Sequence, residues 1–231
     1  MQKTVFITGG NKGIGLAVTR LFLERGDRVV VVARDFSNFP YHGRAEEVVF
    51  DLSRVEEIPQ LVKSIGGIDV LINNAGIMYS VPYDQYPVQK KDTICRVNLE
   101  APLALIRETA GYMKQKGEGR IVNVASVAGE IGHPDIWYGV TKAGLINATK
   151  SFAKLLGPSG IVINAVAPGP VETDMLDVIP QARKEEILRT VYTGRFAKAA
   201  EVADAIFYLA TTSPVYINGT CIDINNGSFP R

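Results

Sequence analysis

The chain has 231 residues, of which 46% are hydrophobic and 21% charged, and its formal net charge is +1. These values predict one soluble globular domain with a substantial core, and the near-zero charge argues against nucleic-acid or anionic-membrane partners. No apolar run approaches the ~20 residues that a membrane helix needs. The two cysteines, Cys95 and Cys221, are far apart and show no metal-type spacing with the two histidines. A cytoplasmic protein without a metal site is therefore expected, and MQKTVFITGG at the N-terminus argues against a secretory signal.

Short β-branched segments alternate with amphipathic segments along the whole chain. Strands are predicted at 4–8, 28–33, 47–50, 69–73, 120–125, 161–166 and 220–224. Helices are predicted at 14–25, 55–65, 95–116, 137–156, 181–190 and 200–210. The strands are mostly apolar without alternation, which is typical of parallel strands buried on both faces. The pattern predicts a Rossmann-type, doubly wound α/β fold: one domain over residues 1–231, with a seven-stranded parallel sheet and helices on both faces.

Two connections look irregular. Residues 34–46 carry Pro40 and Gly43 and leave little room for a helix. The region 168–195, which begins PGPVETD, is long for a connection within a compact domain. Long connections are often functional, so a substrate lid is predicted at about 170–195.

A glycine-rich turn separates the first strand from the first helix. Its glycines, Gly9, Gly13 and Gly15, form G-x-x-x-G-x-G, which differs from the common dinucleotide pattern G-x-G-x-x-G. Glycine lets the backbone approach a phosphate closely, and the helix that begins near Ile14 offers free N–H groups and a positive dipole end. The turn is therefore predicted to bind a dinucleotide pyrophosphate; the alternative is a plain strand-to-helix turn.

The end of the second strand bears on the choice between NADP(H) and NAD(H). An acidic residue there binds the ribose hydroxyls of NAD, whereas arginine suits the 2′-phosphate of NADP. Here Ala33 stands at the expected acid position and Arg34 follows it, while Lys12 adds a second cation. NADP(H) is predicted. If the register shifts by two residues, Asp35 becomes the ribose acid and NAD(H) becomes the cofactor.

The stretch YGVTKAG places Tyr138 four residues before Lys142. On a helix these side chains would lie on one face. A free tyrosine, with a pKa of about 10, is a poor acid–base group at neutral pH, and a nearby ammonium would lower that pKa. The pair could be an acid–base device, or it could be an ordinary pair on the surface of a helix.

Several motifs in order resemble the short-chain dehydrogenases/reductases, and the resemblance covers nearly the whole chain. The motifs are the turn from Thr8 to Gly15, Asp51-Leu52, the N-N-A-G of Asn73 to Gly76, the pair Tyr138 and Lys142, Pro168-Gly169 with Thr173, and GRFAKAAEVADAIFYLA at 194–210. The resemblance implies hydride transfer between NADP(H) and a carbonyl or secondary alcohol. Among the family's branches, the chain is most similar to 3-oxoacyl-thioester reductases.

The resemblance also implies the residues of the site. The catalytic positions would be Asn98, Ser126, Tyr138 and Lys142. The cofactor would contact Thr8, Gly9, Asn11, Lys12, Gly13, Ile14, Gly15, Arg34, Asp51, Leu52, Asn74, Ala75, Gly76, Tyr138, Lys142, Pro168, Gly169, Val171 and Thr173. In this scheme Tyr138 is the proton donor, and Lys142 lowers its pKa and holds the nicotinamide ribose. Ser126 binds the carbonyl oxygen, and Asn98 holds a water that links Lys142 to solvent.

The sequence departs from the family pattern in two places. Ser126 and Tyr138 are 12 residues apart, one fewer than in many members, which suggests a shortened loop around Gly132–Asp135 and a reshaped substrate pocket. The family's C-terminal D-G-G reads Asn225-Asn226-Gly227 here. His133, Tyr79, Trp137 and Met175 are further candidates for contact with substrate.

The predicted lid is mainly apolar. It contains Met175, Leu176, Val178, Ile179 and Pro180, interrupted by Asp174 and Asp177. Such a lid suits a non-ionic ketone or the acyl end of a thioester. The resemblance further implies a homodimer or homotetramer formed through the helices at 95–116 and 137–156. The rival hypotheses are an NAD-dependent alcohol dehydrogenase and a non-catalytic nucleotide-sensing protein.

Overall fold

The seven strands form one parallel sheet in a computed structural model that describes residues 2–176 and 179–230. The strands are β1 (Thr4–Thr8), β2 (Arg28–Ala33), β3 (Glu46–Val49), β4 (Val70–Asn73), β5 (Gly119–Val124), β6 (Ile161–Pro168) and β7 (Cys221–Ile224). Their order across the sheet is β3-β2-β1-β4-β5-β6-β7, and every pairing is parallel. The predicted doubly wound α/β fold is confirmed.

Helices cover both faces of the sheet. They are α1 (Gly13–Glu24), α2 (Ile58–Ile65), α3 (Val88–Cys95), α4 (Ala101–Lys116), α5 (Ile136–Leu156), α6 (Gln181–Thr190) and α7 (Ala199–Thr211). One apolar cluster joins the sheet to α2, α4 and α5, and a second joins it to α1 and α7. The inner strands are buried between these two clusters and read as nearly continuous apolar runs, whereas the edge strands β3 and β7 are only partly buried.

The prediction of one regular helix at 95–116 is wrong in two respects, namely where the helix begins and whether it is continuous. Helical structure begins at Val88, and a π-helical turn over Arg96–Glu100 separates α3 from α4. The turn of Val88–Cys95 was missed because its side chains are mostly polar and Ile94 is its one buried residue. Pro102 explains the irregular turn, since proline has no N–H to donate to the carbonyl of Asn98 four residues earlier.

Most of the smaller differences are shifts of a residue or two at element ends, including the strand predicted at 161–166, which continues to Pro168. The helix predicted at 55–65 begins with a 3-10 turn over Val55–Glu57. Residues 34–45, all of which are described, contain no helix, as predicted. Phe36 and Phe39 of this connection are buried and meet edge to face at 5.4 Å. The connection is therefore packed against the sheet even though it lacks regular structure.

Within the described parts of the chain, no helix combines the length and the apolar character that crossing a membrane requires. Two residues of the predicted lid, Asp177 and Val178, lie outside the described residues. The carboxyl ends of β1, β4, β5 and β6 lie at one edge of the sheet, which is where ligands bind in open α/β sheets.

Candidate active site

The glycine turn after β1 leaves no room for a side chain at Gly15. A Cβ on Gly15 would lie 2.0 Å from the carbonyl oxygen of Gly9 and 2.5 Å from Nδ2 of Asn74. Gly9 and Gly13 adopt positive φ angles of 63° and 53°, a region that glycine enters at low cost. These glycines bring the backbone of the turn against the start of α1, where Ile14 packs on the core.

Thr8 and Asn74 tie the ends of β1 and β4 together. The Thr8 hydroxyl accepts hydrogen bonds from the backbone N–H groups of Asn74 and Ala75, both at 3.0 Å. In return, Nδ2 of Asn74 donates to the carbonyls of Thr8 and Gly9, both at 3.0 Å. The glycine turn and the N-N-A-G segment therefore form one hydrogen-bonded unit.

Ser126 and Tyr138 meet at the end of β5. Ser126 caps a short 3-10 turn, where its hydroxyl accepts from the N–H of Ala128 at 3.1 Å. Tyr138, near the start of α5, is 8% exposed, and its phenol shares a hydrogen bond with Ser126. A hydroxyl and a phenol are thus paired where a carbonyl oxygen could meet both.

Lys142 lies one helical turn after Tyr138 and is 3% exposed. Its Nζ donates to the Val124 carbonyl at 2.7 Å and lies 5.8 Å from the centre of the Tyr138 ring. Burial lowers the pKa of Lys142 to about 8, because a desolvated ammonium is less stable than a hydrated one.

The structure corrects one electrostatic expectation. Lys142 was expected to lower the pKa of Tyr138, but that pKa is raised. Burial is the main cause and the charge of Asp135 adds to it, while the hydrogen bond with Ser126 acts in the opposite direction. Lys142 points its hydrogen bond at Val124 instead, so Tyr138 is held as a neutral phenol that can donate a proton.

Asn98 lies in the π-helical turn and is fully buried. Its Oδ1 accepts from the Ile77 N–H at 2.8 Å, and its Nδ2 donates to the Ile77 carbonyl at 2.9 Å and to the Thr141 hydroxyl at 3.3 Å. Because the side-chain amide is engaged in this way, its visible role is to hold the segment after β4 against α5. Pro102 has no N–H to donate to the backbone carbonyl of Asn98 four residues earlier.

Gly76 lies between these side chains and the glycine turn. A Cβ there would lie 3.3 Å from Nζ of Lys142 and 3.6 Å from Oδ1 of Asn98. A site with glycines at both ends, a helix N-terminus and a buried lysine fits the phosphates and the ribose of a dinucleotide.

The predicted adenosine side is open and cationic. Arg34 follows β2 and is exposed. The carboxylate of Asp35 accepts hydrogen bonds from the backbone and side chain of Ser37, which lower its pKa. Asn11 donates to the Asp35 carbonyl at 2.9 Å. The acid that would favour NAD is therefore held in a local turn of the backbone.

Two further predicted residues follow β3. The Asp51 carboxylate accepts from the Ser53 N–H at 2.9 Å, a bond that lowers the pKa of Asp51. Leu52 is buried in the core cluster under α2. The backbone and carboxylate of Asp51, rather than the Leu52 side chain, can therefore face an adenine.

The Pro-Gly segment after β6 closes the other side of the site. Gly169 donates to the Ile224 carbonyl at 3.0 Å, and Val171 pairs with Ala197 in a short bridge. A Cβ on Gly13 would lie 3.2 Å from Cγ2 of Thr173. Residues Pro168 to Thr173 therefore run beside the glycine turn, and their predicted contact with the cofactor stays a prediction.

The ion pair of Lys12 with Asp174 joins the same two segments, with Nζ 2.9 Å from Oδ2. The sequence predicted that Lys12 contacts the cofactor and did not predict its ion pair with Asp174. Both side chains are exposed, so the pair contributes little to stability.

Apolar side chains surround Tyr138 on the predicted substrate side. Tyr138, Ile94 and Ala128 form a small buried cluster. The partly buried residues packed against it are Ile77, Met78, Tyr79, Cys95, Trp137 and Met175. The His133 ring lies 5.2 Å from the Tyr138 ring, and burial lowers the pKa of His133.

Sequence reasoning missed Asp135, which is 1% exposed and caps the N-terminus of α5 by accepting from the Tyr138 N–H. The signal was present, since an aspartate three residues before Tyr138 at a predicted helix start is a common N-cap.

The described residues include one group of three potential ligands, Glu130, Cys221 and Asp223, whose ligand atoms lie within 4.8 Å of one another. The expected absence of a metal site stays a prediction.

Comparison with known proteins gives a consistent result. The sequence model of the short chain dehydrogenase family matches residues 3–184. The chain is 34% identical to the 3-oxoacyl-[acyl-carrier-protein] reductase of Thermotoga maritima over 240 residues, covering 97% of both chains. It is also 34% identical to the enzyme of that name from Rickettsia prowazekii, over 97% of this chain and 96% of the relative.

Solved structures agree with the fold. ElxO with NADP bound has a TM-score of 0.89 and 29% identity, with 100% of both chains covered. A candidate NAD(P)-dependent gluconate 5-dehydrogenase from Beutenbergia cavernae, with NADP at low occupancy, has a TM-score of 0.92 and 27% identity, covering 98% of this chain and 96% of that one. With the family model matching most of the chain and relatives aligning over nearly its full length, the chain belongs to the short-chain dehydrogenases, a family of NAD(P)(H)-dependent oxidoreductases.

Proposed function

We propose that the protein is an NADP(H)-dependent reductase of a ketone, and that its substrate is of the 3-oxoacyl type. The observation that carries this proposal is the grouping of the Ser126 hydroxyl, the buried Tyr138 phenol and the Lys142 ammonium beside the glycine turn. An acid, a hydrogen-bond donor and a cation at one place are what reduction of a carbonyl needs.

The chemistry divides between the cofactor and the chain. The reduced nicotinamide, when bound, supplies a hydride to the carbonyl carbon. Tyr138 donates the proton from its phenol to the carbonyl oxygen, and Ser126 donates a hydrogen bond that stabilises the charge developing there. Burial keeps Tyr138 protonated until substrate arrives, since burial raises its pKa.

Lys142 and Asn98 support this acid. The Lys142 ammonium lies on the same helical face as Tyr138, with Nζ 5.8 Å from the centre of its ring. Its positive charge would offset part of the negative charge that the phenol gains on proton transfer, while burial keeps the net pKa of Tyr138 raised. We propose that the same ammonium also binds the ribose of the nicotinamide. Proline has no N–H, so Pro102 donates no hydrogen bond to the Asn98 carbonyl. This carbonyl would hold the water that returns a proton to Lys142.

Preference for NADP(H) rests on the end of β2. Arg34 is exposed there, and the carboxylate of Asp35 is engaged with Ser37. An arginine at this position suits a 2′-phosphate. Lys12 would add a second cation once released from Asp174. The NADP found with structural relatives supports the same choice.

The substrate class rests on the relatives and on the apolar surroundings of Tyr138. The 3-oxoacyl-[acyl-carrier-protein] reductases align over nearly the full chain. The cluster of Ile94, Ala128 and Tyr138, with its partly buried neighbours, suits an uncharged acyl chain better than a sugar. We treat residues 170–195 as the lid over this substrate, because α6 within them has no buried residue.

The test is a panel of carbonyl compounds, with oxidation of NADPH and of NADH followed by absorbance. Simple 3-oxoacyl thioesters should be reduced with NADPH, and sugar-derived ketones should not. Tyr138→Phe should lower kcat by at least roughly 100-fold, because the acid is lost while the ring is kept. A Tyr138→Phe protein with full activity would defeat the proposed mechanism.

An NAD-dependent alcohol dehydrogenase is the second candidate, because Asp35 lies beside Arg34 at the end of β2. Titration of the protein with NADPH and NADH separates the two. Tighter binding of NADH would reject the preference for NADP(H). Arg34→Asp should reduce NADPH affinity by roughly tenfold or more and favour NADH, since it exchanges a cation for an acid beside the ribose.

A further inference from the structure

Asp135 is the least exposed carboxylate side chain near the candidate site, at 1%. It ends the shortened loop between Ser126 and Tyr138, and its N–H donates to Nδ1 of His133 at 3.1 Å. Burying a carboxylate is costly unless hydrogen bonds replace its hydration. The partners of Asp135 therefore show what its burial achieves.

The two oxygens of Asp135 bind two different parts of the chain. Oδ1 accepts from the N–H of Tyr138 at 3.2 Å and so caps α5. Oδ2 accepts from the N–H groups of Tyr79 at 2.9 Å and Ser80 at 3.1 Å, with the Tyr86 hydroxyl at 3.4 Å. One carboxylate thus joins the helix of the acid to a segment 55 residues or more away in the chain.

The segment that Oδ2 holds is strained. Ser80 has a φ of 52°, in the left-handed region that residues other than glycine rarely occupy. Two consecutive N–H groups that point at one anion form a backbone nest, which such a conformation makes available. Strain of this kind persists only where the surroundings enforce it, and Asp135 supplies the anion that does so.

The same segment forms a wall of the substrate side. Ile77, Met78 and Tyr79 pack against the cluster that contains Tyr138. Asn98 fixes one end of the segment through both polar groups of the Ile77 backbone. Asp135 fixes the other end, and of these two side chains only Asp135 also binds the N–H of Tyr138.

We propose that Asp135 is a positioning residue that sets the substrate-side segment 77–80 against the acid Tyr138; the inference rests on the proposed carbonyl reduction. It meets Tyr138 at the backbone N–H rather than at the phenol, and in the described residues it makes no hydrogen bond to the glycine turn. Its loss should misplace the substrate relative to Tyr138, and should leave the glycine turn and the cofactor unaffected. Misplacements of about 1 Å can cost on the order of 100-fold in rate.

Asp135→Ser separates this role from simple helix capping. Serine is a good N-cap, so α5 keeps its start, but its shorter side chain cannot reach the N–H groups of Tyr79 and Ser80. We expect KM for the 3-oxoacyl substrate to rise roughly tenfold, with a similar or larger fall in kcat/KM. The Kd for NADPH should stay within about twofold of the wild-type value, since no cofactor contact is changed.

Asp69→Ser is the matched control. Asp69 also accepts from a backbone N–H, that of Thr4 at 2.8 Å, and pairs with Lys116. It precedes β4 and therefore lies at the amino ends of the strands, whereas the site lies at their carboxyl ends. This variant should lower the melting temperature and leave KM unchanged. Asp135→Glu, which keeps the carboxylate, should recover part of the lost kcat/KM.

Hydrogen–deuterium exchange gives a readout that does not need a substrate. The amides of Tyr79 and Ser80 should exchange faster in Asp135→Ser than in wild type or Asp69→Ser. Wild-type KM together with wild-type exchange at these amides would overturn the role of Asp135. If the wild-type protein reduces none of the carbonyls, the proposed function fails on its own, and the exchange rates still decide whether Asp135 holds the segment.

Discussion

Lys142 shows how a single residue of the site can oppose the stability of the fold. It is 3% exposed, and burial lowers its pKa from 10.5 to about 8. A shift of this size corresponds to a cost of about 3 kcal/mol for keeping the ammonium charged in the folded protein. One hydrogen bond, to the Val124 carbonyl, offsets part of that cost.

The sign of the pH dependence follows from these values. The folded-state pKa of Lys142 lies below its unfolded value, so the unfolded chain binds more protons between about pH 8 and pH 10.5. The cost is fully present below about pH 8 and fades as the pH rises towards 10.5. Lys142 therefore makes the protein relatively more stable at alkaline pH than at neutral pH.

We predict that Lys142→Met is inactive. We also predict that its stability, measured relative to that of wild type at the same pH, is higher at pH 7 than at pH 10. The advantage of the variant should shrink by about 2 kcal/mol or more across that range, whatever the loss of the Val124 hydrogen bond costs. Urea unfolding of both proteins at several pH values measures it. Lys150→Met, at an exposed position of α5, should show no such trend, and a pH-independent difference for Lys142→Met would contradict the prediction.

At the scale of elements, the turn between β1 and α1 depends on the absence of a side chain. A Cβ on Gly15 would lie 2.0 Å from a backbone oxygen of Gly9, which no rotamer can relieve. The turn would have to open, and with it the hydrogen bonds through which Asn74 joins β1 to β4. Both the stability of the sheet and the shape of the turn predicted to bind phosphate are therefore sensitive to this position.

We predict that Gly15→Ala loses roughly 2–4 kcal/mol of stability and at least about tenfold in NADPH affinity. Gly111→Ala is the control, because this glycine lies in α4 with no atom within 4 Å of the added Cβ. That variant should gain about 0.5–1 kcal/mol from the higher helix propensity of alanine. Denaturant unfolding and cofactor titration of the two variants give the comparison; an unchanged Gly15→Ala would show that the turn adapts.

Local sequence patterns predicted most elements but not the way they are tied together. Period and apolar content placed all seven strands, because each contains β-branched residues, even in the partly exposed edge strands β3 and β7. The short polar helix Val88–Cys95 carries one buried residue and gave no periodic signal. The π-helical turn could have been inferred from Pro102, which removes a helical donor. The hydrogen bonds of Asp135 to Tyr79 and Ser80 join residues more than fifty positions apart, which no local pattern reports.

For the site, the ordered motifs indicated which residues would share one edge of the sheet. The predicted strands and helices already placed four of these residues at that end of the sheet, namely Thr8, Asn74, Ser126 and Lys142. The protonation behaviour did not follow, because it depends on burial: the pKa of Tyr138 is raised where a lowered value was expected. Spacing reports which groups are near one another, and only packing determines how much water remains around them.

At the scale of the whole molecule, α5 leaves three large apolar side chains facing solvent. On α5, Ile136, Val140 and Leu155 are 47%, 50% and 69% exposed. Their opposite face packs on the sheet through residues such as Leu145 and Leu156. Exposed apolar groups gathered on one element commonly mark a protein interface. The family resemblance had assigned this helix, together with the one at 95–116, to the contact between subunits.

We predict a homodimer or homotetramer in solution that needs the outer face of α5. The double variant Val140→Glu and Leu155→Glu should dissociate it, since burying two carboxylates without partners would cost several kcal/mol. Val49→Glu is the matched control, because Val49 is 71% exposed on the edge strand β3, away from α5. Sedimentation velocity measures the mass of each protein. A wild-type monomer would contradict the predicted assembly. An assembly that the double variant leaves intact would place the contact between subunits elsewhere than on α5.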